Sequence, residues 1–228
     1  STGIEAWMSP DAVGSSKTVI NVLKKHGKYT DNPTPRVRFD NTSGSWNTRL
    51  GPLSGLNVAG FTWYQGCSNL EQGLVNDAGF YEAALDAFIN DLAGKFRFES
   101  VNDMPFIMTQ LAPDNFAFTN DALPIWTEEV TRVVNKYPLT QQITFYDASL
   151  VYHLDGCSGD PCTCGNGIDH PSDKRTISHR TAQAMLHNVY KAEGTTPDYY
   201  IPEVESYTIT DNGKIIVTFK NVGEGLSV

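Results

Sequence analysis

The sequence predicts an α/β protein in which a parallel β-sheet lies between layers of helices. Short apolar runs of strand length alternate along the chain with longer stretches whose apolar residues recur at helical spacing. This order is typical of parallel sheets, because each helix returns the chain to the end of the sheet where the next strand begins. The length of 228 residues, with 40% apolar residues, is sufficient for a large buried core.

Three strands and four helices follow from these patterns. The strands, rich in β-branched and aromatic residues, are predicted over 58–64, 105–111 and 143–146. The helices are predicted over 11–26, 80–96, 122–137 and 172–192. Ligands of such sheets bind beyond the carboxyl ends of the strands, so we expect the functional site in the loops that follow the three strands.

A change of pattern near residue 197 predicts a second unit. A linker with a proline near each end is followed by two β-branched runs separated by the turn sequence Asp211-Asn212-Gly213. A lone hairpin is marginal in water and needs a larger sheet. We therefore divide the chain into an α/β domain over 1–196 and, over 197–228, a linker with the first hairpin of a β-rich domain. Since the chain also has no initiator Met or leader pattern, it is expected to be part of a longer protein.

The charge balance excludes two classes of partner. Lys and Arg number 17 and Asp and Glu 26, which gives a formal net charge of −9. Because a negative surface repels phosphate, we expect neither nucleic acid nor an anionic membrane surface as partner. A membrane span is not expected either, since no apolar run reaches 18 residues.

The cysteines allow two interpretations. They are Cys67, Cys157, Cys162 and Cys164, and the last three share one loop rich in Gly, Asp and Pro. Extracellular disulfides are favoured, with three ways of pairing four cysteines. A zinc site with His153 or His170 is the alternative, but the C-x4-C-x-C spacing is not one that zinc sites commonly use, and we expect no metal. The glycosylation sequon at Asn41 also favours a secreted or lysosomal protein.

Two polar clusters are candidates for chemistry. Gln65, Gly66 and Asn69 directly follow the first strand, where glycine permits close approach of the backbone and amides can donate to an oxyanion. The alternative is an ordinary strand end with capping amides. His170 precedes the last helix on a loop at the ligand end of the sheet, which suits a general base, with His153 as runner-up. The alternative for His170 is a solvent-exposed loop residue.

The nucleophile is not marked in the chain. No G-x-S-x-G elbow occurs, and nothing local activates Ser68. Cys67 with His170 would form a cysteine hydrolase only if the thiol were free and of low pKa.

The order of motifs resembles the sialate O-acetylesterases, a family of the SGNH-type esterase superfamily. The similar segments are 3–7, 47–53, 60–66 with Ser68 and Asn69, 106–111, and His170-Pro171 with Lys174. The resemblance implies a flavodoxin-like three-layer α/β/α esterase domain that uses no cofactor. It also implies hydrolysis of acetyl esters on sialic acid or related sugars by a Ser-His mechanism. His170 corresponds to the catalytic histidine, Gln65 and Gly66 to the oxyanion pocket, and Asn69 to its amide neighbour.

The chain departs from the family in three places. The family's nucleophile block would precede Ser1, so the serine is expected from an upstream segment, either joined to this chain or present as a separate fragment of the same precursor. Cys67 stands where the family has Glu. Gly167 stands where the superfamily has its orienting Asp, which leaves three candidates for that role: Asp155, Asp160 and Asp169. These departures keep open a catalytically inactive secreted protein with a carbohydrate-binding or structural role.

Overall fold

The computed structural model describes residues 2–30, 38–112, 122–144, 174–193, 203–220 and 222. The α-helices in these ranges are α1 (Pro10–Ser15), α2 (Lys17–Lys25), α3 (Cys67–Glu71), α4 (Phe80–Lys95), α5 (Ala122–Val134) and α6 (Arg175–Asn188). The strands are β1 (Phe61–Trp63), β2 (Phe106–Thr109), β3 (Thr140–Ile143), β4 (Glu203–Ile209) and β5 (Ile215–Lys220). Shorter helical turns cover Ile4–Ala6, Trp46–Leu50, Gly51–Leu53, Leu74–Asn76 and Val101–Asp103.

A parallel three-stranded sheet organises the molecule. Its order is β1-β2-β3, with Phe61 opposite Phe106 and Phe106 opposite Thr140. The four residues of the central strand β2 are all buried, as expected for a strand covered on both faces. The predicted α/β fold with a parallel sheet is confirmed.

The third strand begins earlier than predicted. Pairing with β2 starts at Thr140, so β3 covers Thr140–Ile143, whereas residues 145 and 146 of the predicted 143–146 strand lie outside the described residues. Residues 140–142 are polar, so local hydrophobicity does not predict a strand there. They form a strand because they pair with β2.

The predicted helix over 11–26 is two helices. Ser16 adopts an extended conformation between α1 and α2 (φ −118°, ψ 111°), and its hydroxyl oxygen accepts a hydrogen bond from Val19 N at 3.3 Å. Serine competes with the helix for backbone hydrogen bonds and is a favoured N-cap, so it ends one helix and begins the next.

The core lies between α4 and the sheet. Phe88 of α4 contacts Trp63 of β1, with ring centroids 4.8 Å apart, and Phe106 of β2 at 6.4 Å. Phe88 and Phe106 are fully buried. This aromatic contact fixes β1, whose carboxyl end carries the candidate site.

A buried carboxylate joins α5 to the start of α4. Glu129 is 1% exposed and accepts hydrogen bonds from the backbone N–H groups of Gly79 (2.6 Å), Tyr81 (2.8 Å) and Glu82 (3.1 Å). These are N–H groups that a helix start leaves without intrahelical partners, and the positive end of the helix dipole favours a carboxylate there.

The strands β4 and β5 form an antiparallel hairpin apart from the parallel sheet. Its large apolar residues are exposed: Val204, Tyr207, Ile209, Ile215, Ile216, Val217 and Phe219. The assignment of 197–228 to a β-rich domain stays a prediction. None of the described helices has both the length and the apolar content that a membrane crossing requires.

We expect Glu129→Gln to lower the free energy of unfolding by about 2 kcal/mol, because an amide N–H2 would then face backbone N–H donors. Urea denaturation measures the change. The matched control is Glu128→Gln, whose side chain is 76% exposed and 3.8 Å from Arg132. That control is expected to change stability by less than about 0.5 kcal/mol. Equal effects of the two substitutions would contradict the capping role.

Candidate active site

The chain turns sharply where β1 ends. Gly66 has φ 151° and ψ −35°, a conformation that side chains rarely permit, and α3 begins at the next residue. An added Cβ would lie 2.7 Å from Leu111 Cδ1 and 2.8 Å from two atoms of the Trp126 indole. Glycine therefore lets the backbone pass between the end of β2 and helix α5.

The side chain of Gln65 is held at every polar atom. Its Nε2 donates to the backbone oxygen of Thr2 at 3.0 Å and to Asn69 Oδ1 at 2.9 Å. Its Oε1 accepts from the Tyr81 hydroxyl at 3.0 Å. Both amide hydrogens are thus engaged, and the orientation of the amide is fixed.

Tyr81 supplies the donor for this arrangement. It lies on α4, is fully buried, and its hydroxyl is also 3.1 Å from the Gln65 backbone oxygen. Burial raises the pKa of Tyr81 far above its ordinary value, so the phenol remains protonated and able to donate.

Asn69 connects the strand end to the N-terminal segment. Its Oδ1 accepts from Ile4 N at 2.8 Å, and its Nδ2 donates to Glu5 Oε2 at 2.8 Å. Asn69 is 0% and Glu5 1% exposed. The second hydrogen on Nδ2 finds no acceptor within the described part of the chain.

Two further contacts support the Glu5 carboxylate. Lys28 Nζ lies 3.3 Å from Glu5 Oε1 and provides a positive charge. Gly3 lies so close that an added Cβ would stand 2.1 Å from Glu5 Oε2 and 2.6 Å from Asn69 Nδ2. We call Gln65, Asn69, Glu5 and Tyr81 the strand-end network.

A groove lies between β1, the end of β2 and the first turns of α6. It has a volume of about 380 Å³ and is lined by the ends of β1 and β2 (Trp63, Tyr64, Thr109) and the first turns of α6 (Ile177, Thr181). The Lys174 ammonium, directly before α6, lies 5.4 Å from the centroid of the Tyr64 ring. The start of α6 therefore reaches the carboxyl end of β1.

The structure brings together three of the predicted site residues, Gln65, Gly66 and Asn69. Their role as an oxyanion pocket stays a prediction. Cys67 is half-buried at the start of α3. Asn41 is exposed in a turn, which leaves its predicted glycosylation as a prediction. The other predicted residues lie outside the described ranges: His153, Asp155, Cys157, Asp160, Cys162, Cys164, Asp169 and His170.

Sequence reasoning missed Glu5 and Tyr81 as members of the site. Glu5 belongs to the segment 3–7, which carries the resemblance, but a single acidic residue there gave no local sign of a distant partner. Tyr81 occupies an apolar position of α4, and only the fold shows that its hydroxyl reaches β1. Within the described ranges no group of three or more His, Cys, Asp or Glu side chains could hold a metal ion.

Comparison with solved structures identifies the class of the fold. The chain superposes on a carbohydrate acetylesterase from Xanthomonas citri with a TM-score of 0.66 and 23% sequence identity. The alignment covers 96% of this chain and 40% of that protein. The chain therefore has the same α/β fold as the matching part of this acetylesterase.

Sequence comparison gives the family resemblance. The chain is 26% identical over 207 residues to the sialate O-acetylesterases of Homo sapiens and Pongo abelii. The match covers 89% of this chain but only 36% of each relative, so the chain spans about a third of their length. No protein-family model matches it. The resemblance to the sialate O-acetylesterase family that the motifs predict is confirmed.

We expect Gly66→Ala to lower the free energy of unfolding by at least about 2 kcal/mol, because the new Cβ would clash with Leu111 and Trp126 at an unfavourable φ. Gly94→Ala is the matched control, since its Cβ meets nothing within 4 Å inside α4. That control should be neutral or more stable by up to about 1 kcal/mol. Denaturant unfolding of both variants tests the difference, and a neutral Gly66→Ala would refute the close packing.

Proposed function

We propose that the protein hydrolyses O-acetyl esters on sialic acid or related sugars. The similar proteins are sialate O-acetylesterases and a carbohydrate acetylesterase, and their activities support this reaction class. One structural observation carries the proposal for this chain. The Lys174 ammonium lies 5.4 Å from the centroid of the Tyr64 ring, directly after β1, and Lys174 is only four residues from His170 in the sequence.

The proposed mechanism uses a serine and His170. The imidazole takes the hydroxyl proton while the serine oxygen bonds to the acetyl carbonyl carbon. The tetrahedral intermediate then breaks its bond to the sugar oxygen, which receives the proton from His170. Water attacks the acetyl-serine in the same way, releases acetate and restores the serine. Asp155, Asp160 or Asp169 would orient the imidazole.

The strand-end network suits stabilisation of the oxyanion. Both amide hydrogens of Gln65 are donated within the protein, to Thr2 and Asn69, so Gln65 would not contact the oxyanion itself but would hold the turn in place. We assign the oxyanion contacts to the backbone N–H of Gly66 and the second Nδ2 hydrogen of Asn69. Glu5 and Ile4 fix the orientation of the Asn69 amide, so these donors would need little reorganisation during the reaction.

The serine would come from a segment upstream of Ser1. Among the described strands, β1 lies at one edge of the parallel sheet, and an edge strand has backbone groups that can pair with another strand. A strand added there would end beside Gly66, where the nucleophile is needed. The segment would be part of the same polypeptide or a fragment of the same precursor.

A secreted or lysosomal location accords with this proposal. The exposed position of Asn41 leaves room for a glycan on the predicted sequon. Disulfides among the four cysteines would form in the same oxidising compartment.

The test is hydrolysis of p-nitrophenyl acetate and 9-O-acetyl-N-acetylneuraminic acid by the full-length protein. We expect His170→Ala to reduce kcat by at least about a thousandfold, because general-base assistance is lost. His179→Ala is the matched control: this histidine is exposed on α6, and kcat should stay within about twofold. A wild type no faster than His170→Ala would reject the esterase proposal. Sugar binding without turnover would then favour the inactive carbohydrate-binding alternative.

A further inference from the structure

An arginine outside the strand-end network, Arg49, is held on aromatic rings. The guanidinium carbon of Arg49 lies 5.1 Å from the centroid of the Phe39 ring and 5.9 Å from that of the Trp7 ring. Arg49 follows Trp46 in the helical turn Trp46–Leu50 and is exposed. Cation–π contacts of this kind restrict a side chain that is otherwise mobile.

The guanidinium has no acidic partner in the described part of the chain. No carboxylate lies within ion-pair distance of it there, and it makes no hydrogen bond to another described residue. By contrast, Arg38 and Arg132 both pair with carboxylates. An arginine that stacks on rings still has its N–H groups in a planar fork, which matches the two oxygens of a carboxylate.

Arg49 is connected to the candidate site through Trp7. The Trp7 indole N–H donates to Thr2 Oγ1 at 2.8 Å, and the Thr2 backbone oxygen accepts from Gln65 Nε2 at 3.0 Å. The Trp7 ring also packs edge-on against Trp63, the last residue of β1, with centroids 6.1 Å apart. The positive charge therefore lies one layer of side chains from the end of the strand.

The negative net charge of the chain makes the position of this cation significant. With its net charge of −9, the chain repels an anionic ligand unless a local cation attracts it. From these contacts we infer that Arg49 binds the carboxylate of an acidic sugar and so determines specificity for acidic over neutral sugar esters. This inference rests on the proposed function, because it takes the strand end as the place where the sugar binds.

Calorimetric titration of the full-length protein tests the inference without requiring turnover. The probes are N-acetylneuraminic acid and its methyl ester, which differ in the charge of one group. We expect the acid to bind about tenfold more tightly than the ester, as one charge-assisted contact would give. Arg49→Gln should weaken binding of the acid about tenfold and leave the ester within about twofold.

Two further variants separate charge recognition from other causes. Arg97→Gln removes the same charge from another exposed position and should retain the preference for the acid. Arg49→Lys keeps the positive charge but lacks the planar guanidinium, and this variant should retain part of the preference for the acid over the ester. Equal binding of acid and ester by the wild type, no binding of either, or equal weakening of both by Arg49→Gln would overturn the inference. Absence of hydrolysis with the preference intact would instead count against the proposed esterase reaction alone.

Discussion

The hydrogen bond between the Asn69 amide and the Glu5 carboxylate is the contact on which the candidate site depends. Both groups are almost fully buried, and a buried carboxylate is tolerated only when hydrogen bonds and a counter-charge replace water. Lys28 supplies the counter-charge. Gly3 has no side chain, and this lets the backbone lie close to the Glu5 carboxylate. Residues 2–7 are thereby fixed beneath the end of β1, although more than 60 residues separate Glu5 from Asn69 in the sequence.

Two constraints of different kind meet at the same turn. The network restrains the side chains of Gln65 and Asn69, while the packing of Leu111 and Trp126 restrains the backbone at Gly66. Both restraints are needed to fix the positions of the hydrogen-bond donors, because an amide with a fixed orientation would still move if the backbone of the turn were mobile. Together they attach the turn to α4, α5 and the N-terminal segment.

The sequence predicts the parts of this fold that depend on local pattern. The helix over 80–96 and the strand over 105–111 correspond closely to α4 and β2, because their apolar periodicity reflects burial directly. The start of β3 depends on pairing with β2, and the break at Ser16 depends on a cap, so neither is visible in hydrophobicity. Gln65, Gly66 and Asn69 can be predicted as candidates because their residue types suit the chemistry, and their role stays a prediction. Their partner Glu5 cannot be predicted in this way, because only the tertiary fold brings it near Asn69.

The strand-end network would hold the hydrogen-bond donors of the site in fixed orientations before a substrate binds. Its amides and carboxylate are oriented by contacts within the protein, so the conformational entropy lost in ordering them belongs to folding rather than to the reaction. A serine added beside Gly66 would therefore meet donors that already point in fixed directions. The same rigidity limits adaptation to different sugars at the turn itself. Discrimination between sugars would then depend on exposed side chains around it, and Arg49 on its aromatic support is such a side chain.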